Sequence, residues 1–422
     1  PQARWLDRLA EVQWSPARTR GDRILNQPEP RGRAMSFADR VEHLKAEGAY
    51  AVLAKAQALE AQGREIIHLE IGQPDFETYP RIAMAGIRAI ATGQTRYNPP
   101  SGVLALREAL AQDFGQRRGV PAAPEQVVIA PGTKPLLLLP MLALLQAGDE
   151  VIYPDPGFPS YEAAIGLVGA KPVPVPLVEE QGFDLDLAAF DAALSPRTRM
   201  ILLNSPSNPT GGINSARTLA HVSAAARRHD LWVLSDEIYT RLVYEGQAPS
   251  IVSLPGMAER TIIAEGFSKT YAMTGWRLGF GIMPQPLAEK IDLLLTHSVG
   301  CTATFTQLAG LEAIQGPQDQ VDAVVAEFRQ RRDLIVSGLN AIPGVHCPTP
   351  LGAFYAFPNV QSFGRSSADL ADILLEKAGV AVLSGTAFGR NGAGYLRLSY
   401  ANSMENIQKA LERMTRTLAA LG

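Results

Sequence analysis

The chain has 422 residues, 46% of them apolar and 19% charged, with a net charge of −3. That length supports two domains of ordinary size, and the composition is that of a globular protein, neither disordered nor membrane-spanning. No basic surplus points to nucleic acid or an anionic membrane, and the longest apolar run, Pro135 to Leu145, falls far short of a bilayer span.

Residues 1–35 are rich in Arg, Pro and Gln without apolar periodicity, and Asp7, Glu11, Asp22 and Glu29 argue against a transit peptide. They are expected to be a disordered N-terminal extension, or residues upstream of a true start at Met35. From Phe37 to Gln62 the pattern turns helical, and Gly63 stops it. A short strand, Ile66 to Ile71, then leads into the turn Gly72-Gln73-Pro74-Asp75, where a glycine lets backbone approach a ligand closely. Arg96 to Gly102 is a rigid, Pro-rich loop that carries Tyr97 and precedes an amphipathic helix, Val103 to Arg117.

From about Glu125 to Met283 short aliphatic runs alternate with helical stretches: Val127–Ala130, Val151–Tyr153, Met200–Leu203, Trp232–Leu234, Thr261–Ala264 and Gly279–Ile282. This alternation predicts an α/β fold, a mainly parallel mixed sheet flanked by helices, with ligands at the carboxyl ends of the strands. After Gly316 a long charged helix, Val321 to Leu339, is followed by strands at Phe354–Phe357, Val380–Leu383 and Tyr395–Ser399. Residues 36–75 and 310–422 are expected to form a smaller α+β domain, and 76–309 the large one. Cys301 and Cys347 give no disulfide framework and fit a reducing cytoplasm, and six scattered histidines suggest no metal site.

The chemistry-bearing residues fall at the strand ends. Pro131-Gly132-Thr133-Lys134-Pro135 opens an apolar helix and would offer N–H groups and a positive dipole end to an anion, with Pro140 expected to kink that helix. Phe158 can serve as an aromatic face for a flat ring, or simply as core. Asn204 to Gly212 is turn chemistry in which the Asn208 amide can also donate to a phenolate oxygen. Asp236-Glu237 can offer an ionised carboxylate at a strand end, or be acids at a helix start, and both can hold together. Lys269, at another strand exit, has Arg277 eight residues on; a lysine used as nucleophile needs desolvation or a neighbouring cation, and Arg277 can supply the second while clamping a phosphate. Arg397 interrupts an alternating apolar strand and either faces solvent or forks onto a carboxylate.

The Ser268–Gly279 stretch (Ser-Lys-Thr-Tyr-Ala-Met-Thr-Gly-Trp-Arg-Leu-Gly) resembles the Schiff-base lysine signature of the class I/II pyridoxal-phosphate aminotransferases, the aspartate-aminotransferase-like group. The resemblance runs from about Ser36 to the C-terminus. It implies a fold-type-I homodimer with a shared active site and pyridoxal 5′-phosphate carried by Lys269. It also implies Asp236 at the pyridine nitrogen, Asn208 and Tyr239 at the ring O3′, and Phe158 stacked on the ring. Gly132, Thr133, Lys134, Ser268 and Arg277 would hold the phosphate, with Tyr97 reaching that of the neighbouring subunit. Gly72, Asn208 and Arg397 would meet the substrate.

The implied reaction moves the α-amino group of an L-amino acid to a 2-oxo acid, 2-oxoglutarate or pyruvate. A pyridoxal-phosphate β-lyase would share these residues and differ in its substrate pocket. A regulator built on a silent domain would need a DNA-binding module for which the N-terminal segment is too short, and a nicotinamide dehydrogenase would need a Gly-x-Gly-x-x-Gly that is missing. The family's strict dicarboxylate members use a partner-subunit arginine from a region matching Thr296 to Thr304, which holds no Arg or Lys here, so an uncharged amino donor is expected.

Overall fold

A computed structural model describes residues 37–42, 44 and 47–421; the expectation for residues 1–35 lies outside them. The chain separates into two compact units, one ending at Glu42 and one from His43 onward. In the first, the described residues include the short helix α1 (Asp39–Glu42). In the second, α2 spans Gly48–Glu60 and ends in a turn where Gly63 takes φ 83°, so the single helix expected over Phe37–Gln62 is two pieces.

The second unit is built on one eight-stranded sheet. Its strands are β2 (Val127–Ala130), β3 (Glu150–Asp155), β4 (Lys171–Val178), β5 (Asp184–Leu185), β6 (Thr198–Asn204), β7 (Trp232–Asp236), β8 (Thr261–Gly266) and β9 (Gly279–Ile282), in the order β2-β9-β8-β7-β6-β3-β4-β5. The middle run from β8 through β7, β6 and β3 to β4 is parallel; β9 runs antiparallel to both neighbours, and β5 to β4. Alternate residues point to opposite faces. Val128, Ala130, Val151, Tyr153, Met200, Leu202, Leu234 and Ile262 pack against α5 (Lys134–Leu144), α6 (Ser160–Leu167) and the helix Gln285–Thr296. Ile152, Ile201, Leu203 and Val233 pack against the helices Leu187–Ala193 and Ala216–Arg228. Val127, Ile129, Ile263 and Phe280 cover α3 (Pro80–Ala91) and α4 (Leu104–Arg118). Pro140 sits inside α5, which runs on to Leu144.

The sequence reading missed β4, Lys-Pro-Val-Pro-Val-Pro-Leu-Val, because proline cannot donate to a ladder. The period of two resolves this. The Pro176 carbonyl accepts from Asp186 N–H on the outer side, so Pro172, Pro174 and Pro176 all turn their missing N–H groups away from β3.

Two smaller sheets use both ends of the unit. β1 (Ile67–His68) pairs parallel with β11 (Val380–Ala381), and β13 (Leu396–Ser399) lies between β10 (Tyr355–Ala356) and β12 (Leu383–Ser384). The strand expected over Ile66–Ile71 is thus only two residues long, and its remainder is the extended segment that reaches the candidate site. A separate core of Ile67, Leu69, Phe328, Ile335, Leu339, Leu396, Leu398, Ile407 and Met414 joins these strands to the helices Asp319–Asn340 and Met404–Ala419. No described helix is long and apolar enough to cross a membrane.

Candidate active site

The carboxyl ends of β2, β3, β6, β7 and β8 open toward a cavity of about 750 Å³. Gly72, Thr133, Lys134, Phe158, Asn208, Asp236, Tyr239, Ser268, Lys269, Arg277 and Arg397 all line it, eleven of the thirteen residues singled out in the sequence. Gly132 lies just behind this lining, and Tyr97 is 99% exposed, away from the cavity of its own chain. A second cavity of about 920 Å³ shares Gln73, Thr274, Gly275 and Arg277 but touches neither Lys269 nor Asp236, so the chemistry belongs to the smaller one.

Lys269 sits in the single helical turn Phe267–Thr270 that β8 feeds. Its Nζ donates to the Gly72 carbonyl at 2.5 Å and lies 5.7 Å from the centre of the Phe354 ring. Burial, then Arg397 and Arg277, pull its ammonium down to about 8, against Asp236 and Glu47, which hold it up. A useful fraction of free amine is therefore present near neutral pH.

Asp236 is the last residue of β7 and is buried. Its Oδ2 accepts from the Tyr161 hydroxyl at 2.8 Å and its Oδ1 from the Ile238 N–H at 3.2 Å. Burial pushes the carboxyl up to about 6, and those two hydrogen bonds oppose it. Glu237 turns instead to Arg118, Ser235 and Ser250, and the chain then forms a turn; the helix start that the acid pair could have marked is not there. Asn204 fixes the neighbouring strand end, with Nδ2 donating to the Asp236 carbonyl and Oδ1 accepting from Asn208 N–H. Tyr239 shares a 2.8 Å hydrogen bond between hydroxyls with Tyr355.

At the opposite wall, two residues past the end of β2, Gly132 takes φ +89°, and an added Cβ there would overlap the Arg277 guanidinium. Arg277 itself takes φ 53°, a left-handed conformation that costs a non-glycine residue about 1–2 kcal/mol, and its Nη1 donates to Thr274 O at 3.0 Å. The Thr133 and Lys134 N–H groups at the start of α5 have no carbonyl partner among the described residues. The Lys134 ammonium is engaged with the Glu47 carboxylate, which also accepts from Ser160 at 3.2 Å. It thus offers the cradle its backbone while its charge is balanced by a residue just before α2.

Arg397 is buried, its guanidinium 4.7 Å from the Tyr355 ring centre and 4.9 Å from that of Phe388. It donates to the Glu70 carbonyl and, at 3.4 Å, to Asn208 Oδ1, while its buried Nε has no partner among the described residues. Burial lowers its pKa from the usual guanidinium value. A buried cation with an unspent donor is suited to receive a carboxylate.

This donor set fits pyridoxal phosphate. A free helix start with Arg277 suits a phosphate, Phe158 offers a ring face, Asp236 offers an anion to a pyridine nitrogen, and Lys269 offers an amine to an aldehyde. Tyr161, Tyr355, Asn204 and Glu47 were not foreseen. Tyr161 lay within the Phe158 stretch, but nothing local tells that its hydroxyl meets a carboxylate 75 residues away.

A family model described as aminotransferase class I and II matches residues 64–414. An aromatic-amino-acid aminotransferase of Thermococcus litoralis is 39% identical over 388 residues, covering 91% of this chain and 98% of that protein. An aspartate aminotransferase of Pyrococcus horikoshii is 40% identical over 358 residues, covering 84% and 91%. Among solved structures, the aspartate aminotransferase of Thermus thermophilus with maleate superposes with a TM-score of 0.86 at 37% identity, over 91% of this chain and all of that one.

Proposed function

The chain belongs to the class I and II aminotransferases, pyridoxal-phosphate enzymes that move an amino group from an amino acid to a 2-oxo acid, and from that premise we propose roles for its own residues. The observation that carries them is a single cavity lined by a lysine with a lowered pKa, a buried carboxylate and a buried arginine. When bound, pyridoxal phosphate supplies a protonated ring that withdraws electrons from the substrate Cα. Lys269 would hold the cofactor through Nζ, and its amine, with its lowered pKa, would serve as the base and acid for the substrate Cα proton. Asp236 holds the ring nitrogen's proton, and Tyr161 keeps Asp236 ionised. The N–H groups of Thr133 and Lys134, with Ser268 and Arg277, hold the phosphate; Gly132 leaves room for Arg277. Asn208 and Tyr239 would donate to the ring oxygen, and Phe158 would cover a ring face. Arg397 grips the substrate carboxylate beside Gly72. The β-lyase alternative gains no support from the relatives.

For the substrate we propose an uncharged L-amino acid as donor and 2-oxoglutarate or pyruvate as acceptor. The cation that an acidic side chain would meet on this wall, Lys134, is already balanced by Glu47. A panel of L-amino acids in single half-reactions, followed by loss of the visible band, should show neutral donors reacting at least as well as aspartate and glutamate. A preference for the acids above about a hundredfold, roughly 2.7 kcal/mol, contradicts this choice.

We also propose a homodimer with a shared site. Tyr97 projects from a loop stiffened by Pro99 and Pro100 and anchored by Asn98, whose Nδ2 donates to Thr302 O at 2.8 Å and Thr304 Oγ1 at 2.9 Å. Met84, Ile87 and Ile90 of α3 and Leu104 expose apolar surface on the same unit. Sedimentation should give twice the chain mass, and Tyr97→Phe should speed cofactor loss without altering its spectrum; a fully active monomer excludes the arrangement.

A further inference from the structure

Two of the cations assigned above hydrogen-bond to the backbone of one short segment: Arg397 to the Glu70 carbonyl and Lys269 to the Gly72 carbonyl. The segment presses on the site at close quarters, since an added Cβ at Gly72 would overlap the Tyr355 hydroxyl. Its side-chain anchor is Glu70, whose residue is 0% exposed. Oε1 of Glu70 meets His68 Nδ1 at 2.8 Å, while Oε2 is buried without a partner among the described residues. His68 Nε2 in turn meets Glu60 Oε1 of α2 at 3.0 Å, so the residue whose backbone carbonyl holds Arg397 is linked through its own side chain and His68 to Glu60 near the surface.

We propose that Glu70 is a positioning residue that couples the pull of Arg397 on a substrate carboxylate to the protonation of His68. The inference rests on Arg397 being the carboxylate-binding residue. A buried carboxylate beside a buried arginine competes for the field that arginine offers to a ligand. Burial is the main influence on Arg397 and lowers its pKa, while Tyr355, Tyr239, Glu70 and Glu47 oppose it, so Glu70 is one of the groups whose charge bears on this guanidinium. When His68 is protonated it balances Glu70 from the outer side, and Arg397 is left to the substrate. When His68 is neutral, the Glu70 charge falls on Arg397 alone and ligand carboxylates bind more weakly.

The charged groups that face His68 are Glu70 on its own segment and Glu60 from α2; Val380 and Ala381 of the paired strand and Asn402, which donates to the His68 carbonyl, carry none. Burial pulls the imidazole down, but its hydrogen bonds to the Glu70 and Glu60 carboxylates outweigh it, and the net position is above the ordinary histidine value. The changeover therefore falls above about pH 6.5, where an enzyme at work would meet it.

The test is binding of 3-phenylpropanoate, a carboxylate without an amine, to the holoenzyme by calorimetry from about pH 6 to about pH 9, across the range in which histidine titrates. In the holoenzyme Lys269 is bonded to the cofactor, and other groups of the site can titrate in this range, so the readout is the difference between variants at each pH. His68→Gln should bind about fivefold more weakly than wild type at the acid end and equal it at the alkaline end. Glu70→Gln should bind more tightly than wild type at the alkaline end. The opposite signs separate this role from a structural one, which would weaken binding in both. His68→Gln following the wild type at every pH, or Glu70→Gln binding more weakly throughout, overturns the proposal; should Glu70→Gln not fold, the His68→Gln comparison decides alone. Arg397→Lys serves as control. If it loses the probe while His68→Gln matches the wild type, only this inference falls; if it binds as the wild type does, the reading of Arg397 falls and takes the inference with it.

Discussion

Lys269→Ala is expected to lower turnover by about 10⁴- to 10⁶-fold, the range seen when a group that is both nucleophile and base is removed. Two roles are lost together. The covalent attachment goes, because among the described residues no other lysine lines the cavity except Lys134, whose ammonium is engaged with Glu47. The proton carrier between Cα and the cofactor goes as well. The environment of Lys269 is tuned for both: burial and two arginines bring its ammonium down to about 8, while the Gly72 carbonyl fixes where Nζ points. The variant should still bind pyridoxal phosphate, since the cradle of Gly132, Thr133 and Arg277 is untouched, but its visible band should move to that of the free aldehyde. Added methylamine should restore part of the rate. A variant within about tenfold of wild type, a gap of only 1.4 kcal/mol, would assign the chemistry to another residue.

Asp236→Asn should leave the cofactor bound and lower kcat by about 10³-fold, as loss of a preorganised charge at the reacting system does. The neighbouring hydroxyl gives this role a pH signature. Burial raises the Asp236 carboxyl to about 6, and the hydrogen bond from Tyr161 works against that rise. In the empty site the ionised form is therefore favoured only above about pH 6, and a protonated ring nitrogen beside it would keep the carboxylate ionised to lower pH. Tyr161→Phe removes a donor that favours the ionised form, so the acid limb of the pH–rate profile should move to higher pH, with the plateau at high pH largely kept. A limb that stays in place, or Asp236→Asn at full rate, contradicts the assignment.

The sheet was legible because its strands are apolar runs punctuated by Gly, Pro, Asn and Asp; the cores of six strands were visible, and β2 and β9 match residue for residue. What failed was local pattern under tertiary control. β4 is a strand despite three prolines because only one of its edges bonds to β3, and the expected strand at Ile66–Ile71 is cut short because the segment must reach the cavity. The site was legible where a residue's type is its function, as with Lys269, Asp236 and Arg397. It was not legible where function depends on a distant partner. Tyr239 and Tyr355 are 116 residues apart, and Lys134 meets Glu47 across 87. Glu70 read as one more residue of a short strand, yet it is wholly buried, with its carboxylate on His68 and its backbone carbonyl on Arg397.

The most direct measurement is borohydride reduction of the pyridoxal-phosphate-loaded protein, followed by digestion and mass spectrometry of the peptides. Reduction fixes the cofactor to whichever amine carries it. The account predicts one phosphopyridoxyl group per chain, on the peptide containing Ser268-Lys269-Thr270, and none on the peptide containing Lys134. A label on Lys134 or on scattered surface lysines, or no label on protein that binds the cofactor, would contradict it.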